Sequence, residues 1–415
     1  MRSISFWKAQ IYQLREGGAK VLIAKVLFVS ETLFLYLLAL FALGVVRLLR
    51  PIKCIRVAPL VSDRIGHYAG NTELYLCERD AGMHDGCFDL FYHRGRVCNE
   101  QMKVMWSRIL RTFPHSRFFD YFIRLNSVIP GGKAHKIQTS DRDVLVLMAE
   151  SEPHLIFSPI EQDIGERGLR EMGIPQEKDF ICFLSRTSSY LKSVYPQQDW
   201  AYHDYRDSSI YNYIPAVENL VQRGYSAIRM GATQEETIDV DNAGIIDYAN
   251  GSRTELLDLY LASKCSFSLA GSSGFEAVPL IFRRPRAIVN HIPLIHIPYW
   301  NPSDLIIFKK LWLREEKRFL SFCEMIESVV GGSLMSNDYE MAGIEVVENT
   351  AEEIEALVIE MDERLKGSWQ SEEEDEKIQR DFWALLEHIE PGKRVHARIG
   401  TEFLQCNKGL LYQSV

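Results

Sequence analysis

The chain of 415 residues lacks the spacing patterns of several common binding sites. Its eight cysteines form no C-x-x-C pair, and Cys182 and Cys265 lie within the apolar runs "FICFL" and "ASKCSFSL". This usage is typical of reduced, buried cysteines in a cytosolic protein and argues against a disulfide framework or a zinc site. No G-x-G-x-x-G and no G-x-x-x-x-G-K-[ST] motif is present, which disfavours nicotinamide and P-loop chemistry. The sequence also lacks an internal repeat and a low-complexity tract.

The charge of the chain is unevenly distributed. Residues 1–56 contain nine Lys or Arg against Glu16 and Glu31, a formal charge of +7, so the rest contributes −16 to the total of −9. A net-acidic body argues against nucleic acid as the main partner. The basic first segment instead favours an anionic membrane surface.

One long apolar stretch, "VLFVSETLFLYLLALFALGVV" at 26–46, lies within residues 1–50, which we predict to be a membrane-associating helical segment. Its 21 residues would just cross a bilayer, although Glu31 makes that costly. It lies too far along the chain, and is too long, for a simple signal peptide. Basic residues on both sides leave the orientation open. The favoured interpretation is a helix in the cytoplasmic face of the membrane, with a single span and a buried core helix as alternatives.

After Pro51 the pattern changes to alternating strands and helices, which predicts an α/β fold with parallel sheets. The expected strands are 53–61, 87–93, 180–186, 225–231, 244–249 and 286–291. The expected helices are 72–80, 99–113, 165–174, 210–224, 253–264, 349–367 and 371–390, with 64–71 as a loop and 143–148 ambiguous. The polar, Pro-containing stretch 173–179 is the expected domain joint. Domains are therefore predicted at 51–175 and 176–368, and final helices at 369–415 are expected to return to the first domain.

The stretch "SFSLAGSSGFE" at 266–276 raises a functional question, because two glycines and two serines follow a buried strand where a helix begins. A tight turn with Ser272 or Ser273 as the helix cap is the plain explanation. The alternative is an anion cradle, in which free backbone N–H groups meet the positive end of a helix dipole.

Other strand ends of the second half favour the anion cradle. Ligands of an open parallel sheet bind beyond the carboxyl ends of its strands. Here those ends bear Arg186, then Arg229 with Gly231. Guanidinium groups pair phosphate oxygens bidentately, so these side chains and the turn Ser272, Ser273 and Gly274 suit a diphosphate. Glu276 lies within plausible reach of a ribose diol.

Several rival motifs are weaker. "GSSGFE" lacks the G-x-S-x-G spacing of a hydrolase nucleophile. "DVD" at 239–241 has the D-x-D form of a metal–diphosphate site but falls in a polar loop. His291 and His296 have no Cys or Glu at ligand spacing. We therefore expect no metal.

The order of motifs resembles a family of glycosyltransferases from bacterial surface-polysaccharide and lipopolysaccharide gene clusters. The resemblance covers about 53–412 and rests on "RIGHYAGNTELYL", "YHDYRDSSIYNYIPAVENLVQRGYSAIRMG", "SFSLAGSSGFEAVPLIFRRP", "FKKLWLREEKRFLSF", "GIEVVENTAEEI" and "RIGTEFLQCNKGLL". It implies two Rossmann-like domains facing across a cleft (GT-B). It also implies sugar transfer from a nucleotide-sugar donor, without a metal, to a glycan or lipid-linked acceptor at the cytoplasmic face of the inner membrane.

Transfer requires stabilisation of the departing diphosphate and orientation of the acceptor hydroxyl. Arg186, Arg229 and the Ser272–Gly274 turn are expected to supply the first electrostatically. His67 is the candidate general base, since its ordinary pKa suits proton transfer, with Asn71 as positioner. Rival carboxylates are Asp63, Glu73, Asp204 and Asp207. Gly66, Asn71, Tyr205, Arg206 and Asp207 are expected in the cleft as donor or acceptor contacts.

Two other functions fit the same residues. A different nucleotide-using enzyme, such as a sugar epimerase, could share the scaffold. A non-catalytic module that binds a sugar nucleotide or glycan could share the site. The sequence alone does not identify the donor, the acceptor, the stereochemical outcome or the oligomeric state.

Overall fold

A computed structural model describes residues 2–140, 142–175, 177–232, 237–387 and 395–412, without the side chains of 2–15 and 17. Those side chains include the basic Arg2, Lys8 and Arg15. The helices are α1 Arg2–Leu48, α2 Ile65–Asp80, α3 Glu100–Ser107, α4 Arg117–Val128, α5 Pro159–Glu171, α6 Ser189–Val194, α7 Ile214–Gln222, α8 Glu255–Lys264, α9 Ala277–Ile281, α10 Phe322–Glu327, α11 Ser336–Met341, α12 Ala351–Leu365, α13 Glu373–Glu387, α14 Thr401–Cys406 and α15 Lys408–Tyr412. The strands are β1 Cys54–Leu60, β2 Cys87–His93, β3 Thr112–Phe113, β4 Phe180–Leu184, β5 Ser226–Arg229, β6 Ile245–Ile246, β7 Ser268–Gly271, β8 Arg286–His291, β9 Asp304–Phe308, β10 Lys310–Leu313, β11 Arg318–Phe319, β12 Ile344–Val347 and β13 Arg398–Ile399.

The chain forms two compact units that are not continuous in sequence. The smaller unit is Met1–Asp63, His84–Val97 and Leu110–Gln138, and the larger is Arg64–Met83, Cys98–Ile109 and Thr139–Val415. Each unit is a group of residues defined by the contacts among its own members. The domain boundaries predicted at 175 and 368, and the return of the final helices to a first domain, stay predictions.

The smaller unit is a parallel sheet in the order β1-β2-β3 with α1 and α4. In α1 the backbone kinks at Gly18, where φ is 53°. The segment Gly18–Leu48 is the one helix of the described chain whose length and composition would cross a membrane. The predicted N-terminal apolar helix is therefore confirmed. Its Ala39 and Leu43 are nevertheless buried in the apolar cluster of this unit.

The larger unit is built on a sheet in the order β13-β9-β8-β7-β4-β5-β6, in which neighbouring strands are parallel. Strands β4 to β6 follow one another outward in one direction, and β7 to β9 follow in the other. Six strands thus have the 3-2-1-4-5-6 order of a doubly wound dinucleotide-binding fold. The predicted α/β class is confirmed.

Both faces of this sheet are covered, as expected for parallel strands. In β4, Ile181 and Phe183 join the apolar cluster that contains Val217 of α7 and Val358 of α12. The alternate residue Cys182 lies on the opposite face, with Tyr260 of α8. Successive side chains of a strand point to opposite faces of the sheet. Because both faces are buried here, every residue of "FICFL" is apolar.

Several predicted elements are changed by tertiary contacts. Residues 64–71 are not a loop, because α2 begins at Ile65. The predicted helix 99–113 ends at Ser107, and its last residues form β3. Residues 143–148 are neither strand nor helix.

The capping box that begins α12 is present as predicted. Glu353 N–H donates to Thr350 Oγ1 at 3.2 Å, and Thr350 N–H donates to the Glu353 carboxylate at 3.1 Å. The last predicted helix is observed as Glu373–Glu387, and residues 388–390 of that prediction lie outside the described residues.

Candidate functional site

The order of the larger sheet reverses between β4 and β7. At such a point the connections after the two strands leave in opposite directions and open a crevice at their carboxyl ends. Leu184 of β4 pairs in register with Ala270 of β7, and two residues further on lie Arg186 and Ser272. The fold therefore brings two of the predicted site residues to the same crevice.

Arg186 is held in a polar cluster. Its Nη1 donates to the backbone oxygen of His203 at 3.0 Å and to the Asp207 carboxylate, which also accepts the Ser188 N–H at 3.1 Å. Burial lowers the pKa of Arg186 to about 10, and the charge of Arg206 contributes further. At neutral pH the side chain remains a cation.

The segment 203–209, expected as a loop, begins within a 3-10 helix, Ala201–Arg206, whose last residue Arg206 contacts the bend after β7. Its Nη2 donates to the backbone oxygen of Ser272 at 2.6 Å. Burial lowers the pKa of the neighbouring His203 to about 4, aided by the charges of Arg206 and Arg186. Tyr205 is buried and its ring stacks on Tyr339, with 5.4 Å between the centroids. Arg186 and Arg206 therefore form a pair of guanidinium groups beside the bend.

The bend itself is a helix cap, as the plain explanation predicts. Ser273 forms a capping box with Glu276, and the Ser273 hydroxyl proton has no acceptor among the described residues. Ser273 N–H donates to Glu276 Oε1 at 2.8 Å, so the carboxylate occupies one amide of the predicted cradle. Burial raises the pKa of Glu276 to about 7, although the charges of Arg286 and Arg206 oppose the rise. Near neutral pH this carboxyl group is therefore partly protonated.

The first turn of α2 lies against the same bend. A Cβ added to Gly66 would be 2.9 Å from Gly274 Cα and 3.2 Å from its carbonyl oxygen, so only glycine permits this approach. The cap residue Arg64 makes no side-chain hydrogen bond to the helix start, where the first N–H groups have no partner within the helix. His67 and Asn71, both half-buried, belong to the same helix. The "RIGHYAGN" motif and the Gly/Ser bend are thus neighbours in the larger unit.

Arg229 has a different environment from Arg186. It lies at the end of β5, which is separated from β7 by β4, and only 2% of its side chain is exposed. Its Nη1 donates to Asp247 Oδ2 at 3.2 Å. The following Gly231 has a φ of 149°. Their predicted roles in nucleotide binding stay predictions, and the guanidinium observed on the bend is that of Arg206.

The rival carboxylates are arranged differently. Glu73 is fully buried and accepts hydrogen bonds from Arg283 at 2.6 Å and from His154 at 3.0 Å. Asp204 is exposed and Asp63 is half-buried, while Asp207 belongs to the Arg186 cluster.

The chemically plausible metal ligands of the described residues are Glu73, Cys77 and His154, whose ligand atoms lie within 4.8 Å of one another. Burial lowers the pKa of His154, but hydrogen bonds with Cys77 and Glu73 outweigh it and raise the pKa to about 10. His154 contacts the Glu73 and Asp80 carboxylates, and Arg283 also pairs with Glu73, so these groups already have partners within the protein. Asp239 and Asp241 of the D-x-D motif are exposed.

Lys309 is a buried cation next to Asp207 that was not predicted from the sequence. It follows β9 directly, and its Nζ donates to the Asp207 backbone oxygen at 2.5 Å. Burial lowers its pKa to about 8, against the charges of Glu348 and Asp207. The rule that led to Arg186, a polar residue just after a buried strand, would also have found Lys309. The strand itself was not recognised.

A histidine from the next strand completes the surroundings of the bend. Ser272 Oγ lies 3.2 Å from Nδ1 of His291, the last residue of β8. Burial lowers the pKa of His291 to about 3, so the ring is neutral. The sequence analysis treated His291 as an ordinary polar position, and a structural contact to the bend agrees with that interpretation.

No family model and no curated protein matches the sequence. Among solved structures, the ADP-heptose lipopolysaccharide heptosyltransferase II of E. coli is 12% identical, with 61% of this chain and 90% of that one covered and a TM-score of 0.38. A family 9 glycosyl transferase of Veillonella parvula is 9% identical, with 61% and 85% covered and a TM-score of 0.39. The E. coli heptosyltransferase WaaC with ADP-2-deoxy-2-fluoro heptose is 11% identical, with 60% and 91% covered and a TM-score of 0.35. These neighbours are bacterial glycosyltransferases, and similarity of this extent assigns no activity to the chain.

Proposed function

We propose that this protein is a glycosyltransferase that moves a sugar from a nucleotide-sugar donor to a glycan acceptor, in the synthesis of a bacterial surface polysaccharide. The observation on which the proposal rests is the crevice where the order of the larger sheet reverses. There the bend Ser272–Gly274, the start of α2 and the guanidinium groups of Arg186 and Arg206 lie together. Crevices of this kind bind the diphosphate of nucleotides in doubly wound folds.

The diphosphate of the donor would bind to amides and cations of this crevice. Gly66 and Gly274 pack closely without side chains between their backbones, and the dipole of α2 favours an anion at its start. Arg206 and Arg186 would supply the positive charge. The Ser273 hydroxyl proton, which has no acceptor among the described residues, would be donated to the same anion.

The same groups would accelerate the reaction. As the bond between the sugar and the diphosphate breaks, negative charge grows on the departing oxygen. Cations and amides fixed in advance stabilise that charge without reorganisation, and removing one such donor typically lowers turnover by about 10²–10³. Two guanidinium groups supply the charge that a divalent ion would otherwise bring, so we propose transfer without a metal.

The acceptor hydroxyl would be deprotonated beside the bend. His67 follows Gly66 in the first turn of α2, so its backbone is adjacent to the proposed diphosphate site. An imidazole ring can accept the proton of an acceptor hydroxyl that lies within hydrogen-bond reach. Glu73, the rival on the same helix, is engaged by Arg283 and His154. We propose a lipid-linked glycan as the acceptor and the cytoplasmic face of a membrane as the location, because the apolar α1 adjoins a basic segment.

The test is binding and turnover with a panel of UDP, GDP, ADP, CMP and dTDP sugars, by thermal shift and calorimetry on the full chain. Arg186→Ala and Arg206→Ala are each expected to weaken binding of the recognised donor by at least about tenfold, the loss of one charge-assisted contact. Arg167→Ala is the matched control. Arg167 is 53% exposed and pairs with Asp163 on the same helix.

The outcomes separate the candidate functions. Unchanged donor affinity in both arginine variants would refute the placement of the site. Release of nucleoside diphosphate that depends on acceptor supports a transferase. Binding without release would indicate a non-catalytic module, and conversion of the donor to its epimer would indicate an epimerase.

A further inference from the structure

The apolar helix α1 is tied to α4 along the stretch that would have to cross a bilayer. Near its beginning, Glu31 forms an ion pair with Arg117, whose guanidinium also lies 5.0 Å from the Phe28 ring centroid. Five residues on, the rings of Tyr36 and Tyr121 stack, with 4.1 Å between their centroids.

The contact continues to the end of α1. Arg124 donates to the Tyr36 hydroxyl at 3.0 Å. Arg47 donates to the backbone oxygens of Pro130 at 2.6 Å and Ile129 at 3.2 Å, just beyond α4. Between these polar contacts, Ala39 and Leu43 are buried with Phe122 of α4 and with two strand residues, Val57 and Tyr92. The second half of α1 is therefore part of the core of the smaller unit and not an anchor on a free linker.

The other sides of α1 expose large apolar side chains. Leu33, Phe34, Leu37 and Phe41 are 58–71% exposed. Other large apolar side chains of the helix are 39–80% exposed, namely Leu22, Ile23, Val26, Leu27, Val29, Leu38, Leu40, Val45 and Leu48. A contiguous apolar surface of this length marks an interaction site rather than a water-facing one.

Helix α1 cannot both span a bilayer and keep its contacts with α4. A span needs about 20 residues, so nearly all of 26–46 would lie in hydrocarbon. Because α4 accompanies α1 from Phe28 to Arg47, a span would carry the Arg117 and Arg124 guanidinium groups into the bilayer. Charged groups are strongly disfavoured there.

We infer that α1 does not span the membrane but lies in one leaflet, with its exposed apolar face among the acyl chains of anionic phospholipids. Exposed Lys20, Arg50 and Lys53 flank that face and would meet the phosphate headgroups. Both ends of the chain then stay on the cytoplasmic side. This inference rests on the membrane association proposed above and is independent of sugar transfer.

The first experiment locates the chain termini. The full chain receives one epitope tag at each end and is expressed in a bacterial host, and protease is added to intact spheroplasts or to inverted vesicles. Cleavage of both tags only in inverted vesicles is the expected result. Loss of the N-terminal tag in intact spheroplasts would show a span and overturn the inference.

The second experiment identifies what covers the apolar face. Purified full-length chain is floated with vesicles of phosphatidylglycerol and phosphatidylcholine, or of phosphatidylcholine alone. Leu37→Glu and Phe41→Glu are each expected to reduce the floated fraction on the anionic vesicles by about tenfold. Val329→Glu, at a residue 94% exposed in the larger unit, is the control and should float like the native chain.

Two results would refute the inference, one from flotation and one from light scattering. The first is that the native chain does not float with anionic vesicles. The second is a stable dimer by light scattering that Leu37→Glu dissociates, because a second copy would then cover the face. Neither assay measures transfer, so a chain that binds no donor but floats and keeps both tags inside leaves the inference intact and refutes only the proposed function.

Discussion

The contact between Gly66 and Gly274 offers a steric test of the proposed site. In Gly66→Ala the new methyl group would lie 2.9 Å from Gly274 Cα, and backbone cannot swing aside as a flexible side chain can. Inserting a methyl group into a closed contact typically costs about 1–3 kcal/mol. Replacing a helical glycine by alanine returns at most about 1 kcal/mol. We therefore expect lower stability, a displaced bend and weaker donor binding.

Gly70→Ala is the matched control on the same helix. Its added Cβ would lie 3.7 Å from Ala277 Cβ, an ordinary van der Waals distance, so it is expected to keep donor affinity and to stabilise by up to about 1 kcal/mol. The assays are urea denaturation followed by circular dichroism, and calorimetry with the recognised donor. Equal stability and equal affinity of the two variants would show that α2 and the bend are not in contact, and the shared anion site would then be wrong.

Two further predictions concern carboxylates. Because the pKa of Glu276 is raised to about 7, its charge appears as the pH rises through 7, and donor affinity should then fall several-fold between pH 6 and 8. Glu276→Gln should flatten that dependence in calorimetry, and an unchanged slope would contradict it. Arg283→Ala should cost about 3–5 kcal/mol in urea denaturation, toward the lower end because His154 still bonds to the buried Glu73. A loss no larger than that of Arg167→Ala would refute a buried ion pair.

The large sheet was predictable because its strands are apolar on both faces. The run "FICFL" at 180–184 and the segment "AIV" at 287–289 contain no polar residue, which indicates burial on both sides in a parallel sheet. The order of the strands could not be predicted in this way, because it depends on pairing between segments that are distant in sequence. Nothing in "SFSLAG" states that β7 pairs with β4 rather than with β6. The reversal that creates the crevice therefore had to come from the fold.

The helical state of 64–71 was not predictable from local preference. Gly66 and Gly70 each disfavour a helix by about 1 kcal/mol relative to alanine, so a loop is the expected local state. Packing against Gly274 and Ala277 requires small residues at these positions, and the contact compensates the lost propensity. A pair of glycines four residues apart was the available signal, because residues at that spacing share one face of a helix.

The positions of the three arginines show how far a site can be predicted from polar residues at the ends of strands. A polar residue at the carboxyl end of a strand is expected at the same sheet edge as those of its neighbours, and Arg186 does follow β4 while Arg229 ends the neighbouring β5. The position of an arginine at the sheet edge, however, does not fix the direction of its side chain. The buried guanidinium of Arg229 pairs with the carboxylate of Asp247. Arg206 is instead the last residue of the 3-10 helix Ala201–Arg206, and it donates to the Ser272 carbonyl of the bend. If the diphosphate binds as proposed, Arg206→Ala should therefore weaken donor binding more than Arg229→Ala does, and the reverse order would restore the assignment made from sequence.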